Sequence, residues 1–457
     1  MKLKKNFRLT SAQIILAGFF LVILAGALLL MLPIASMEGR VTPFLDCLFT
    51  STSATCVTGL VVYDTATHWS LFGKVVILSL IQIGGLGVIT TAFLIRVIIG
   101  SKISLIQRTL LQDSISGDNV QGIVRMSLYI MKMVMAVELG GALVMYPVFA
   151  RDFGPVTGAG YALFHSVSAF CNAGFDLMGV REKYSSLVAY QGNAVINLVI
   201  MALIVFGGLG FYTWRDLQRN KLHFSRYTLQ TKVVVTTTVI LILLPAVIFF
   251  FAEYRSLPAG ERVLASFFQS VTTRTAGFNT SDLTKFKEND LLIMIMLMLI
   301  GGSPGSTAGG MKTTTIAVVV GTFLSMSGRR SSTVLHQRRI PAKTVRAAFS
   351  IVLMYVTLFL AGGMAVSAME HRSLLRSFFE TASAIGTVGL SVLVVLEPSL
   401  TVGLTLGLTP SLHVVSKLIL IGLMFYGRVG GLTFMYATFR RSRVGSSCLP
   451  QEDLNVG

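Results

Sequence analysis

The chain has 457 residues, 53% of them hydrophobic and only 13% charged, with a mean hydropathy of +0.74. Charges this sparse cannot cover a water-soluble globule of this size, so the composition excludes an ordinary soluble protein and makes a membrane the solvent to test first. The net charge of +18 invites a nucleic-acid reading, which the placement of the basic residues decides.

The first apolar run, 12–33, is long enough to cross a hydrocarbon core of about 30 Å. It is too long for a signal-peptide core, and Leu30, Met31, Leu32, Pro33 and Ile34 offer no small-residue cleavage site, so it reads as a retained span. Hydropathy places four first spans at 12–34, 126–150, 233–252 and 347–369, and four second spans at 72–95, 193–213, 288–326 and 414–438. Five segments hold 23 Lys or Arg: the N-terminus with Lys2, Lys4, Lys5 and Arg8, the loops 96–132, 215–232 and 329–346, and the tail with Arg440, Arg441 and Arg443. Against these stand five acids, Asp113, Asp118, Asp216, Glu452 and Asp453, so the five segments carry the whole excess. This is the positive-inside pattern, with both termini cytoplasmic, and it assigns the charge to topology rather than to nucleic-acid binding. A basic face of this kind also suits anionic lipid or a docking partner. Cys47, Cys56, Cys171 and Cys448 show neither zinc-site spacing nor a disulfide framework.

Four segments repeat one pattern. They read Phe49-Thr-Ser-Thr-Ser-Ala-Thr-Cys-Val-Thr-Gly59-Leu60, Phe164-His-Ser-Val-Ser-Ala-Phe-Cys-Asn-Ala-Gly174-Phe175, Phe267-Phe-Gln-Ser-Val-Thr-Thr-Arg-Thr-Ala-Gly277-Phe278 and Phe379-Glu-Thr-Ala-Ser-Ala-Ile-Gly-Thr-Val-Gly389-Leu390. Three copies place Ser-Ala at the sixth and fifth positions before the glycine. The third has Val271-Thr272 there, and the counterpart of the leading Phe is either Phe267 or, if the copy is one residue short, Phe268. The glycines lie 103 to 115 residues apart, room for two spans and a loop, which divides the chain into units 1–98, 99–214, 215–330 and 331–457. Each unit reads as a span, a half-length segment such as 42–54 or 373–384 that enters the membrane and turns back, and a returning span. The fold class is therefore all-α and polytopic, with eight spans and four re-entrant pore helices in pseudo-fourfold symmetry around one pore. Non-helical backbone at membrane depth must be buried in protein or face water, and four loops around one axis meet that demand together. Their carbonyls can face an ion, and glycine permits the backbone geometry.

The loops offer carbonyls and hydroxyls rather than a ring of carboxylates, which fits a monovalent cation better than calcium or magnesium. Asp64, Asp176 and Asp282 lie just beyond three of the repeated glycines, where each acts either as a solvated loop acid or as part of a cation-concentrating outer vestibule. Arg274 is expected to point behind its loop and pair with an acid or carbonyls. The span 288–326 is far longer than a bilayer requires and is interrupted by Gly301-Gly-Ser-Pro-Gly-Ser-Thr-Ala-Gly-Gly310. Pro304 and the glycines favour an unwound loop there, in one unit of the four. Lys312 ends the loop and either snorkels or faces the pore; Arg428, flanked by glycines in the last span, must find carbonyls, an acid or water. Glu138 is a candidate structural partner.

These motifs resemble the Trk/Ktr/HKT superfamily of potassium transporters, and over nearly the whole chain they are most similar to its KtrB-type subunits. The resemblance implies that Gly59, Gly174, Gly277 and Gly389 are selectivity-filter glycines. Neighbouring carbonyls then come from Cys56, Val57, Thr58, Asn172, Ala173, Thr275, Ala276, Thr387 and Val388, with Cys56 and Cys171 in equivalent, non-essential positions. It implies an intramembrane gate at Gly301, Gly302, Ser303, Pro304, Gly305, Ser306, Thr307, Ala308, Gly309 and Gly310, with Lys312 at its end and Arg428 contacting it. It also implies potassium as substrate, sodium as a stimulating ion, no cofactor on this chain, a homodimer with one pore per subunit, membrane lipid around it, and a cytoplasmic ring of nucleotide-binding regulatory subunits. A bacterial plasma membrane is the expected location. The start at Met1 favours the eight-span form, and the segment 446–457 is assigned to the dimer interface. An intramembrane enzyme is disfavoured, because the six histidines are scattered and no HExxH, GxSxG, Walker or dinucleotide motif occurs. A secondary transporter with broken helices usually has twofold inverted repeats, which four parallel units do not match.

Overall fold

The computed structural model describes residues 10–98, 123–221, 223–395 and 405–438. Lys2, Lys4, Lys5, Arg8, Asp113, Asp118, Arg440, Arg441, Arg443 and Cys448 lie outside the described residues, as does the segment assigned to a dimer contact.

In the first unit, α1 (Ser11–Leu30) leads to the half-length α2 (Phe44–Thr55), a single turn α3 (Thr65–His68), α4 (Leu71–Leu86) and α5 (Val88–Ile98). The second has α6 (Ile123–Phe153), the half-length α7 (Pro155–Phe170), α8 (Ala194–Gly208) and α9 (Phe211–Asn220). In the third, α10 (Leu229–Ala252), α11 (Ala259–Thr272), α12 (Glu288–Leu299) and α13 (Thr313–Ser327) follow in the same order. The fourth has α14 (Ala342–Glu370), α15 (Leu374–Gly386), α16 (Val414–Val429) and α17 (Gly431–Thr438). Two small antiparallel ladders complete the described structure: β1 (Val334–Leu335) with β2 (Arg338–Arg339), and β3 (Leu393–Val395) with β4 (Thr405–Gly407).

The starts of these helices follow from local chemistry. Thr10 and Gln13 form a reciprocal capping box at α1, and Ser70, Asn193 and Thr228 cap α4, α8 and α10 through their side-chain oxygens. The four long helices are apolar enough to cross a membrane, yet only 28–33% of each apolar stretch is buried in the protein. Most of the apolar surface therefore faces outward, as lipid requires and water does not tolerate. Burial inverts at the half-length helices, whose C-terminal halves are sealed and whose Phe49, Phe164, Phe268 and Phe379 are at most 4% exposed. Each unit's second-span helix packs on the half-length helix of the next unit: α4 on α7, α8 on α11, α12 on α15 and α16 on α2. The ring closes where Lys417 of α16 meets Asp46 of α2 at 2.8 Å, with Tyr63 donating to the other Asp46 oxygen at 3.1 Å.

One expectation is corrected. Interruption is not peculiar to the third unit. The second spans of the other three bend by 100–102°, between α4 and α5, α8 and α9, and α16 and α17. The hinges are Gly87, Gly210 and Gly430, with φ of +87°, +90° and +88°, a conformation that side chains resist. Hydropathy passes over these bends because the residues there, Arg428 apart, are apolar or small. The overlooked signal is Gly84-Gly-Leu-Gly87 recurring as Gly207-Gly-Leu-Gly210 and, more loosely, as Gly427-Arg-Val-Gly430. A Cβ at Gly210 would lie 2.5 Å from the Pro304 carbonyl oxygen, whereas one at Gly430 would meet nothing within 4 Å. Gly430→Ala is expected to cost about 1–3 kcal/mol through backbone strain alone, and Gly210→Ala more, because the 301–310 loop must also shift. Melting temperatures of the two purified variants check that order.

Candidate functional site

The four glycine loops meet backbone to backbone. A Cβ built on Gly59, Gly174, Gly277 or Gly389 would lie 3.1, 3.0, 3.1 and 2.9 Å from the Cα of the next glycine in the cycle, Gly389 closing on Gly59. Nearer still are the carbonyl oxygens of Ala173, Ala276, Val388 and Thr58 respectively, so only glycine allows this approach. Two residues before each glycine, Val57, Asn172, Thr275 and Thr387 adopt φ of +52°, +56°, +73° and +53°, and the glycines themselves have φ from +69° to +97°. All four loops thus repeat one strained backbone path, and such strain persists only where the surroundings enforce it.

Side-chain hydroxyls do much of that enforcing. Ser53 and Ser383 accept from the N–H groups of Gly59 and Gly389 at 3.1 and 3.0 Å, while Ser168 and Thr272 donate to the carbonyls of Phe175 and Phe278 at 2.7 and 2.6 Å. The same geometry settles the register of the third copy. The carbonyls of Ser53, Ser168 and Ser383 accept from the residue before the glycine, Thr58, Ala173 and Val388, five residues on, whereas that of Thr272 accepts from its counterpart Ala276, four residues on, at 3.0 Å and also from Gly277 at 3.3 Å. The third loop is one residue shorter, Thr272 stands in the serine position, and Phe268 is the counterpart of Phe49. The Ser-Ala doublet was the visible trace of these braces, but hydropathy assigns it no task.

Each half-length helix ends where its loop begins, so four helix C-termini, each carrying partial negative charge, converge on the ring. The hydroxyls of Thr55, Thr58, Thr275 and Thr387 are buried there without a protein partner. Cys56 is fully buried, and the Cys171 thiol donates weakly toward Gln82 Oε1 at 3.6 Å and Glu138 Oε1 at 3.9 Å.

Above the ring, a cavity of ≈ 90 Å³ is lined by all four glycines together with Asp64, Asp176, Ser391 and Thr409. Asp64 also caps α3, accepting from Ala66 and Thr67, and ties down the Tyr184 N–H at 3.0 Å. Burial pushes the Asp176 carboxyl up to about 6; repulsion from Asp64 adds to this, and hydrogen bonds from Met178 and Ser186 oppose it. Asp282 is not brought to this cavity. It caps the turn at Leu283, accepting from Thr284, and pairs with Lys285 at 3.4 Å. Burial would raise its pKa, but those hydrogen bonds and the lysine together hold it below the ordinary value. Its neighbours Asn279 and Leu283 line the cavity, but the Asp282 carboxylate is engaged by Thr284 and Lys285 instead.

Below the ring sits the segment between α12 and α13, made of Gly301, Gly302, Ser303, Pro304, Gly305, Ser306, Thr307, Ala308, Gly309 and Gly310. About half of its backbone polar groups are bonded to other parts of the chain or across the loop. Gly301 donates to Met311 at 2.7 Å, Ser303 to Gly208 at 2.9 Å, Thr307 to Gly207 at 3.1 Å and Gly310 to Gly427 at 3.1 Å, while the Gly305 carbonyl accepts from Phe211 at 2.9 Å. The Thr307 hydroxyl donates to the Phe170 carbonyl at 2.9 Å and accepts from Asn172 Nδ2 at 3.0 Å, and Gly309 lies against the Thr387 side chain. The segment therefore touches the second and fourth glycine loops directly. Lys312 turns back onto it, Nζ donating to Ala308 O at 2.8 Å. Arg428 donates to the carbonyls of Thr307 and Gly84, and to Gly85 O at 3.0 Å. Both cations line a cavity of ≈ 330 Å³ on the far side of the segment from the ring.

Three buried side chains near the loops are placed as follows. Arg274 is buried behind the third loop, but its Nε has no partner, and among the described residues it forms no ion pair. Glu138 accepts from Gln82 Nε2 at 3.3 Å rather than pairing with Arg428. His165 is satisfied locally, between Tyr161 O at 2.7 Å and the Leu177 N–H at 3.3 Å. A buried carboxylate not singled out from the sequence, Glu380, accepts from the Thr409 hydroxyl and from Ser391 Oγ at 2.8 Å, two residues of the upper cavity wall. An acid inside an apolar half-length segment was its available signal.

A polytopic helical membrane protein whose four glycine loops close into a carbonyl-rich ring is an ion-conducting type of architecture. The sequence model of TrkH, a family of cation transport proteins, matches residues 4–443. The chain belongs to this family. It is 36% identical to the potassium/sodium uptake protein NtpJ of Enterococcus hirae, over 100% of this chain and 99% of that one. It is 37% identical to the Ktr system potassium uptake protein B of Bacillus subtilis, again over 100% and 99%. The crystal structure of the potassium transporter TrkH from Vibrio parahaemolyticus superposes with a TM-score of 0.71, covering 96% of this chain and 87% of that one at 18% identity, and so shares the fold. The family comprises transporters rather than enzymes.

The brace at Thr272 has a direct test. Thr272→Ser keeps the hydroxyl and is expected to leave thermal stability nearly unchanged, whereas Thr272→Val leaves the Phe278 carbonyl unpaired and costs about 1–3 kcal/mol. Val271→Ala, at the position that naive alignment equates with serine, is expected to cost less than Thr272→Val in the same melting assay.

Proposed function

We propose that this chain carries potassium into the cell through one pore on the axis of the four glycine loops. Gly59, Gly174, Gly277 and Gly389 with their neighbouring carbonyls form the selectivity filter, and the 301–310 segment with Lys312 and Arg428 forms the gate beneath it. The observation that carries this reading is the closed glycine ring, which gathers carbonyls and unpartnered hydroxyls at one point with no carboxylate among them. Such a donor set suits a weakly hydrated monovalent cation. The relatives' names, potassium/sodium uptake protein and Ktr system potassium uptake protein, support potassium as the carried ion; sodium is read here as a stimulating ion. Asp64 and Asp176 form the outer vestibule; Asp282 takes no part in this proposal.

The units 1–98, 99–214, 215–330 and 331–457 are read as the four repeats, each furnishing one wall. The basic segments place both termini in the cytoplasm of a bacterial cell, with the chain in its plasma membrane. Control by nucleotide is assigned to a separate ring of regulatory subunits docking on that basic side, because no Rossmann fingerprint occurs in this chain, and the chain itself is read as a homodimer.

Flux into liposomes tests the reading. Wild-type protein is expected to pass potassium in preference to sodium, Gly59→Ser to lower that preference about tenfold, the effect of some 1.4 kcal/mol, and Arg428→Gln to raise basal flux several-fold. An unchanged ion preference in Gly59→Ser would show that the filter lies elsewhere; no alkali-cation flux from wild type and Arg428→Gln alike would sink the pore.

Acidification provides an independent check of the vestibule. Influx at low potassium is expected to fall by roughly two- to fivefold as external pH drops through about 6, because Asp176 then takes a proton and its steering charge is lost. Asp176→Asn should be low and flat across the same range. Since burial raises this pKa, the ionised carboxylate disfavours the folded state above that pH, so Asp176→Asn is expected to be at least as thermostable as wild type in alkaline buffer.

A further inference from the structure

The connection between α13 and α14 is short, ordered and basic. Its frame is fixed by Arg330 N donating to Ser325 O at 2.9 Å, Ile340 N to Thr333 O at 2.9 Å and Val334 N to Ser325 Oγ at 3.2 Å, with Thr322 and Thr333 sharing a hydroxyl bond at 3.0 Å. Against this frame lies a cavity of ≈ 260 Å³ whose wall includes Arg330, Arg339 and Arg346 beside Ser331 and Ser332, and no acidic residue. All three arginines are exposed, and among the described residues none forms an ion pair or donates a side-chain hydrogen bond. Three guanidinium groups held this close repel one another and are unrewarded by the protein itself. A guanidinium fork matches two oxygens of a phosphate, which makes the wall a phosphate site by its chemistry.

What adjoins the cavity narrows the source of that phosphate. α13 and α14 pack together, and their outward faces next to the arginines are bare hydrocarbon: Phe323 and Leu324 are 70% and 62% exposed, and Leu353 is 69% exposed. Lipid covers these faces as it covers the other spans, so the phosphates nearest the three arginines are those of lipid headgroups. A molecule with an anionic head and two hydrocarbon tails uses both.

We propose that the cavity at Arg330, Arg339 and Arg346 binds the phosphate of an anionic glycerophospholipid, whose acyl chains lie along the outer faces of α13 and α14. The arginines bind in pairs to the phosphate oxygens, Ser331 and Ser332 can donate to the remaining oxygens or the glycerol, and the apolar faces supply the non-specific part of the affinity. The site stands apart from the ion path and does not depend on which cation is carried.

The test uses the full chain in detergent with added dioleoylphosphatidylglycerol, dioleoylphosphatidylcholine or glycerol 3-phosphate, read by melting temperature and by lipid retained in native mass spectra. Phosphatidylglycerol is expected to raise the wild-type melting temperature by a few degrees more than phosphatidylcholine does. The triple variant Arg330→Gln, Arg339→Gln, Arg346→Gln should lose at least half of that difference, with Arg→Lys at the same positions restoring part of it. A control pair on the same basic side, Arg219→Gln with Arg226→Gln, should keep it. If the triple variant fails to fold, the single variants are read by loss of retained phosphatidylglycerol alone. The proposal is overturned by an undiminished shift in the variants, by an equal loss in the control pair, or by an equal shift with glycerol 3-phosphate, which would mean a free-phosphate site. Poly-glutamate stabilising the protein as well as phosphatidylglycerol does would assign the cluster to an acidic protein partner and likewise overturn it.

Discussion

A peptide group that leaves helical geometry inside a lipid bilayer has no water to bond with, and that one constraint organises this molecule. The chain leaves helical geometry at four loops, at three sharp bends and along one long segment, all near a common axis. Each departure is matched by donors and acceptors from another part of the chain. Serine and threonine hydroxyls brace the loops, second-span carbonyls receive the segment's N–H groups, and two long cationic side chains donate to carbonyls of the segment and of the first bend. The outward surface, by contrast, is left to aliphatic and aromatic side chains that ask nothing of their solvent. Polar chemistry is thereby concentrated where an ion would travel and removed from where lipid lies.

Fourfold likeness holds in the ring and relaxes away from it. Hydroxyls accept at the first and fourth loops and donate at the second and third, so the same brace is built with opposite polarity. The residue following the conserved phenylalanine is Thr50, His165, Gln269 or Glu380, and each unit satisfies that buried position differently. Below the ring the difference is larger. The second spans of the other units turn aside at one glycine, while that of the third opens into a loop whose ends meet at Gly301 and Met311 and which donates into the second unit's bend at Gly207 and Gly208. The bends are what leave those carbonyls free, so the segment and the hinges are two halves of one arrangement.

Much of this was legible in the sequence, because repeated glycines at one register and charge-sided loops are strong signals. The ring, the four half-length helices and the interrupted span were expected where they occur. The hinges at Gly87, Gly210 and Gly430 were not, since a bend inside a largely apolar run barely changes hydropathy and is marked only by a recurring spacing of glycines. The third loop's missing residue was visible as an ambiguity between Phe267 and Phe268, and needed the Thr272 hydrogen bonds to resolve it. Asp282 failed because distance along the chain says nothing about direction after a turn, and Arg274 because no sequence signal reports whether a buried charge has found a partner. Glu380 and the Asp46–Lys417 pair escaped notice for a related reason: single charges in apolar segments reveal cost, and only the fold reveals what offsets it.

The contact between Asp46 and Lys417 joins residues 371 positions apart, in the first half-length helix and the last second span. During synthesis the first of these enters the membrane long before the second exists. Until then Asp46 lacks its lysine, so the contact between α2 and α16 that closes the ring waits on the last unit. Assembly order is thus written into the structure: a chain truncated before α16 retains three intact units yet lacks the contact that closes the ring.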